Sequence, residues 1–485
     1  MYSSKSLKTT NMKFRNLNIA LLAAAGLLMT GCAKDFLDVP SKEIIEAEDS
    51  NQNYSPEVLI NGIYGMFTDW NYGFSFLGIT EIISDNSDKG SSPTDTGSDK
   101  DILDNLTYTS TAGSFAALWE QWYKSIGRAS NAIEYTEGYG LTDETLKNRY
   151  IGEARFLRAL NYFWLVRGWG DVPIQEQDLI KRVPQSEVYA YIEADLQFAI
   201  NNLPDKSKYA SKDLGRATKG AAQGLLSKVY LYQGKWQQAY DMAQAVINSG
   251  EYSLEPNYEK IWRLEGENGG ESLFEIQARG SSIAHGIQQY SQTQGPRGGT
   301  AAIGWGFNTP SQNLLDAFNA EKDDIRRDAT IIFRNETMFD GVKIGNTENE
   351  MYNEKAYSSA NGGAGDTDKN LRYLRLGEVY LIKAEAANEL GNTAEALSAL
   401  NAIRNRVKLP NTTATGQAGI RQAIWKERRL ELAMEHDRWF DLVRTKQAET
   451  AMKAAGKAFQ AKQYLFPIPN NQLIQTPEMV QNPGW

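Results

Sequence analysis

The chain has 485 residues, of which 41% are hydrophobic, 23% charged and 11% aromatic, a composition that excludes a disordered or fibrous protein. Its 60 acidic side chains outnumber the 51 basic ones for a net charge of −9. No sequence-wide surplus of cations exists to displace counterions from a phosphate backbone, so nucleic acid is not an expected partner. One cysteine and two histidines, His285 and His436, exclude a disulfide framework and any zinc centre that needs three or four His or Cys ligands.

Residues 1–16 carry Lys5, Lys8, Lys13 and Arg15 without an acid, and Ile19 to Met29 is an apolar run of eleven residues. As a helix that run covers about 16 Å, short of the ~30 Å hydrocarbon core of a bilayer, so it reads as the apolar part of a signal peptide. Met29-Thr30-Gly31-Cys32 resembles the bacterial lipobox, in which the thiol is lipidated and becomes the new amino terminus. An ordinary cleavage site or a buried cysteine is the alternative. The expected organisation is a lipoprotein signal peptide over 1–31, a lipid-anchored tether over 32–54 and a single domain over 55–485. Acyl chains on Cys32 would hold the protein to a membrane that it does not span.

Helical spacing dominates the rest. Ser55-Pro56-Glu57 reads as a helix start with proline in the first turn, and Val58, Leu59, Ile63, Met66 and Phe67 fit one face. Phe115, Leu118, Trp119, Trp122, Ile126, Ala129 and Ile133 recur at helical intervals, as do Ile151, Ala154, Leu157, Leu160 and Trp164. Further helices are predicted over 185–202, 216–232, 236–248, 371–390, 393–408, 418–435 and 438–455. Two pairs carry a repeat signal: Tyr230, Gly234, Ala239 and Ala243 in one, and Ala384, Gly391, Ala396 and Leu400 in the other. The glycine permits a tight turn and the small residues let the helices approach, which resembles the tetratricopeptide unit without its Trp and Leu-Gly positions.

Four segments resemble the SusD/RagB family of Bacteroidota surface lipoproteins: EARFLRALNYFWLVRGWGDVPI at 153–174, YLRLGEVYLIKAEAANELG at 373–391, ERRLELAMEHDRWFDLVR at 427–444 and YLFPIPNNQLIQTPEMVQNPGW at 464–485. Their order, with the lipobox in front, covers essentially the whole mature chain. The resemblance implies a predominantly all-α fold, with a tetratricopeptide-like helix-pair scaffold and a loop-rich ligand-binding half. It also implies a non-enzymatic lipoprotein on the outer face of the outer membrane. Such a protein binds glycans or other nutrients and acts as the lid of a SusC-like TonB-dependent transporter. A peptide- or glycopeptide-binding lid and a surface glycoside hydrolase are the alternatives.

A sugar offers apolar C–H faces and rings of hydroxyls, so its site needs aromatic platforms and side chains that both donate and accept hydrogen bonds. Three regions qualify. In Trp70-Asn71-Tyr72-Gly73-Phe74-Ser75-Phe76 the alternation puts four rings on one side of an extended segment, either as a platform or packed into the core. Asp85 and Asn86 open a polar loop that resembles the family's ligand-facing loop but holds no ring through Asp99. Lys89 and Thr96 stand where an EF-hand needs oxygen ligands, so an EF-hand is excluded. No cofactor or metal ligand is assigned, with an irregular calcium site left open beside a solvated polar loop.

The third region, Gly266 to Pro310, holds ten glycines with His285, Tyr290, Arg297, Trp305 and Phe307. Tyr290 and Trp305 are candidate platforms and Arg297 a fork of donors. The candidate ligand-binding residues are therefore Trp70, Tyr72, Asp85, Asn86, Tyr290, Arg297 and Trp305, with Cys32 for lipidation and no catalytic residue. His436, in Glu435-His436-Asp437-Arg438-Trp439, reads as a structural helix junction.

Overall fold

A computed structural model describes residues 54–92, 94–95, 99–175, 181–278, 288–300, 303–359 and 369–485. The leader, Cys32, the tether and His285 lie outside the described residues. Residues Ser55–Trp485 form one compact unit, and the protein is predominantly helical within it.

The scaffold is a row of helices, each packed on the next: α1 (Pro56–Gly65), α2 (Gly113–Gly138), α3 (Glu144–Trp169), α4 (Gln185–Asn202), α5 (Lys219–Tyr232) and α6 (Trp236–Asn248). The row continues from α6 through α9 (Leu376–Glu389) to α10 (Thr393–Arg406) and α11 (Gly416–Glu431). Between α6 and α9 the described residues include the short helices α7 (Gln288–Gln294) and α8 (Gln312–Glu321), and α12 (Arg438–Arg444) follows α11.

The repeat reading identifies the two tight turns. Gly234 and Gly391 adopt φ of 67° and 81°, a left-handed conformation that costs glycine nothing. Ala239, Ala243, Ala384, Ala396 and Leu400 are all fully buried between the helices. The apolar stripes predicted on α2 and α3 are buried throughout. At the start of α1 the outcome is mixed: Pro56 occupies the first turn, Ser55 makes no side-chain cap, and Val58 is half exposed.

α3 is the centre of the fold, buried on all sides along its second half. Its polar groups are matched: Arg158 meets Asp195 with two bonds of 2.8 Å, Asn161 donates to Ser125 Oγ and Arg167 pairs with Asp437 at 3.0 Å. Matching of this kind is required where burial would otherwise leave donors unpaired. Trp164 stacks on Trp122 with ring centroids 5.4 Å apart and donates to Tyr373 Oη at 2.7 Å.

The carboxyl-terminal segment locks the end of α3. Phe466 N donates to Gly168 O and Trp169 Nε1 to Pro467 O, both at 2.8 Å, while Asn482 Nδ2 donates to the carbonyls of Trp169 and Phe466. A Cβ on Gly168 would stand 2.9 Å from the Phe466 ring, so the glycine gives the arm its seat.

Among the described residues three two-stranded antiparallel sheets tie the loops to the scaffold. β1 (Ser87–Gly90) pairs with β3 (Phe307–Pro310), β2 (Ser272–Ile276) with β6 (Leu371–Arg375), and β4 (Ile331–Phe333) with β5 (Met351–Asn353). This corrects the helix predicted from 371: Leu371–Arg375 is a strand, and α9 begins at Leu376. The predicted helix over 418–435 ends at Glu431, and that over 438–455 is broken after Arg444. Left-handed backbone at Met434, His436 and Lys446 makes both breaks.

Candidate functional site

The segment 70–76 is helical, not extended. Trp70–Gly73 and Ser75–Leu77 are short helical turns, so residues four apart share a face and the rings divide into two pairs. Trp70 and Phe74 face outward, with centroids 5.1 Å apart, and Trp70 is 38% exposed. Tyr72 and Phe76 face inward, fully buried against Trp164. Tyr72 is therefore corrected from platform to core.

On the other side, Trp305 N donates to Gln292 O at 2.8 Å and Gly306 N to Gly295 O at 3.0 Å. These bonds hold the loop so that Trp305, itself half-buried, lies 5.5 Å from Trp70 at an interplanar angle of 51°. Phe74 continues to Phe307 at 5.0 Å, edge to face. The result is one aromatic strip, Trp305–Trp70–Phe74–Phe307, assembled from two distant segments, with Lys100 Nζ 4.2 Å above Phe74.

Arg297 flanks the strip beside Gly306. Its Nη1 donates to Asp95 Oδ2 and Ser91 Oγ, both at 2.7 Å, its Nε reaches Glu348 at 3.3 Å, and its side chain keeps 32% exposure. The guanidinium thus cross-links three loops at the edge of the rings. Asp95, Glu348 and Asn349, whose Nδ2 donates to Ser91 O, are parts of this edge that the sequence reading did not single out.

β1 and β3 approach closely enough here to require glycine. Gly90 has φ of 69°, and a Cβ on it would sit 2.4 Å from the Gly306 carbonyl oxygen. Replacing Gly90 by alanine is expected to cost about 2 kcal/mol or more, from the left-handed backbone and the displaced carbonyl. The expected readout is a lower denaturant midpoint together with weaker ligand binding; an unchanged midpoint would contradict the close approach.

Asp85 and Asn86 are corrected from ligand contacts to structural anchors. Asp85 is buried and meets Arg438 through two bonds of 2.7 Å, with Arg429 at 3.3 Å. Arg429 Nε donates to Asn86 Oδ1 at 2.8 Å. The loop is thereby pinned to the corner between α11 and α12. Burial pushes the Asp85 carboxyl up, but Arg438 and Arg429 outweigh it and hold it at about 2. A folded value below the unfolded one means stability that is present above pH ~4 and lost as pH falls toward 2, worth about 2 kcal/mol. Denaturant midpoints from pH 6 to 3 are expected to converge for the wild type and Asp85→Asn as pH falls; a constant gap would contradict this.

Tyr290 is also corrected. It lies on α7 facing inward, 6.0 Å from the His436 ring, and burial pushes its phenol up. His436 is buried beside Phe76 and Thr80 Oγ1, with φ of 70°, and burial lowers its imidazole to about 4. It is a junction between α11 and α12. In the polar loop, Lys89 pairs with Asp101 at 2.9 Å and Lys100 with Asp99 at 2.8 Å. Among the described residues no group of three or more His, Cys, Asp or Glu is arranged to hold a metal, and no helix is long and apolar enough to cross a membrane.

A stack of helix pairs bearing an aromatic strip on its loop half defines a helical scaffold protein with a stacking surface. Residues 270–485 match the SusD family model, and residues 35–231 match a model described as starch-binding associating with outer membrane. SusD-like protein P2 of Formosa agariphila is 31% identical, with 88% of this chain and 92% of that protein covered. The starch-binding protein SusD of Bacteroides thetaiotaomicron is 27% identical, with coverages of 73% and 75%. A laminarin-binding SusD-like protein superposes with a TM-score of 0.75 at 29% identity, covering 89% of this chain and 99% of its own. The surface glycan-binding protein A of Bacteroides thetaiotaomicron, solved with laminarihexaose, has the same fold, with a TM-score of 0.75 at 20% identity and coverages of 88% and 98%. The chain belongs to the SusD family.

Proposed function

We propose that this protein is a cell-surface, lipid-anchored glycan-binding protein that captures oligo- or polysaccharide and delivers it to a SusC-like TonB-dependent transporter, for which it is the lid. The observation that carries this reading is the Trp70–Trp305 pair: two rings 5.5 Å apart and inclined by 51° form a bent platform suited to consecutive sugar faces. The half-exposed Arg297 at its edge supplies donors to hydroxyls. The relative named for laminarin binding makes a neutral β-glucan the first ligand to try. The anchor is Cys32, and the place of action is the outer face of the outer membrane.

Two measurements test the reading beyond binding. Co-purification with a SusC-like transporter should protect the loops at 70–105 and 288–307 from hydrogen exchange; unchanged exchange there would contradict the lid. Incubation with a bound oligosaccharide should return it intact, whereas a new reducing end would point to a hydrolase.

A further inference from the structure

A second hollow lies away from the aromatic strip, between α2, the loop at 173–175 and the short helix Asn470–Gln475, with a volume of about 560 Å³. Trp119 and Tyr123 form its floor, one turn apart on α2, with centroids 5.1 Å apart at 49°. Trp119 is nearly buried and donates through Nε1 to Gln472 Oε1 at 3.2 Å, while Tyr123 is half-buried, its hydroxyl directed to Pro173 O at 2.8 Å. Among the described residues four carboxamides line the walls, Gln175, Asn471, Gln472 and Gln475, with Gln472 itself held by Trp119 and by its own donation to Thr476 Oγ1.

The chemistry of this lining selects a ligand class. A carboxamide donates and accepts at once, which matches vicinal hydroxyls. Among the described residues the charges in the lining, Glu120 and Lys124, pair with one another at 3.7 Å, so they offer no net charge to an ion. Among the described residues Gln175 Oε1 is buried without a hydrogen-bond partner, its carboxamide packed on Gly127 of α2, where a Cβ would stand 2.9 Å from Nε2, so that Gln175 closes one wall of the hollow. A peptide strand would instead seek an unpaired sheet edge, and the hollow is walled by two helices and a loop.

The geometry points to a second carbohydrate-binding site in this hollow, taking one or two residues of a neutral glycan and holding a long chain at a point separate from the Trp70–Trp305 strip. The inference rests on the glycan-capture reading and adds a site to it. Two sites on one chain make the second contact intramolecular, so avidity for polymers exceeds affinity for short oligosaccharides.

The test compares laminarin, starch, xylan and mannan as polymers in native affinity gels, with laminarihexaose as the short ligand in calorimetry. The proteins are the wild type, Trp70→Ala/Trp305→Ala, and each of these carrying Tyr123→Ala or Gln475→Ala. Gln475 is exposed on a surface helix, so its variant retains the fold whatever becomes of Tyr123→Ala. The double-tryptophan variant is expected to keep residual retardation by a polymer, and Tyr123→Ala or Gln475→Ala to reduce it roughly fivefold or more. In the otherwise wild-type chain the two substitutions should weaken polymer binding and leave hexasaccharide affinity within twofold. Polymer binding that is unaffected by both substitutions, or no residual retardation in the double-tryptophan variant, overturns the second site and leaves the strip intact. A wild-type chain that binds no polymer overturns the glycan reading itself, and protection of 116–124 and 471–476 from hydrogen exchange by a peptide digest but by no glycan assigns the hollow to peptides and overturns its carbohydrate role.

Discussion

Trp305→Ala is expected to weaken glycan binding at least tenfold, and Trp70→Ala/Trp305→Ala to abolish it at the aromatic strip. Both rings are partly exposed and touch one another across two loops, so removing one takes away its own stacking surface and the support of its neighbour. Each ring is worth about 2 kcal/mol or more when it is a central contact. Fold integrity should hold, because neither side chain belongs to the buried cluster around Trp122 and Trp164. Calorimetry on the folded variants checks this, and affinity within twofold of wild type would remove the strip from the binding surface.

The largest expected effect on stability is at Glu431. This residue is fully buried and accepts from Arg326 at 3.0 Å, from Arg375 at 2.5 Å and from Arg406. Arg375 in turn spans Glu271 and Glu435, and Arg326 reaches Asp323 and Glu427. Burial pushes the Glu431 carboxyl up, yet Arg406, Arg375 and Arg326 hold it well below the usual range.

Glu431→Ala leaves three guanidinium groups short of an anion in a dry interior, an expected loss of about 3–5 kcal/mol. That is a large part of the stability of an ordinary domain. Since the folded value lies below the unfolded one, the contribution is present above pH ~4.5 and fades as pH falls. Equilibrium unfolding at neutral pH should show the loss, and a change under about 1 kcal/mol would contradict the network.

The helical scaffold was readable because its signals are local. Gly234 and Gly391 mark turns by themselves, and the stripes on α2 and α3 recur at 3.6-residue spacing within one window. Leu371–Arg375 is not legible as a strand because its identity is not local: it becomes one by pairing with Ser272–Ile276, and apolar residues at 371, 373, 374 and 376 also fit a helix.

The site divides the same way. Trp70 and Trp305 are each legible as rings in loop segments, but their meeting depends on the bonds from Trp305 N to Gln292 O and from Gly306 N to Gly295 O that seat the second loop. For Tyr72 the period decides: alternation suits a strand, whereas helical turns send Trp70 and Phe74 out while Tyr72 and Phe76 go in. Phe74 is legible as an i, i+4 partner of Trp70 on a helix. Asp85 and Asn86 look like ligand residues only until Arg429 and Arg438, far along the chain, are brought beside them.

The central claim is capture of glycan without chemistry. It is tested most directly by titrating residues 33–485, which contain the whole compact unit Ser55–Trp485, against a panel of neutral glycans headed by laminarin, with chromatography of the sugar afterwards. Saturable binding of at least one glycan, recovered uncut, is the predicted result. Binding of none, or recovery of shortened products, would contradict it.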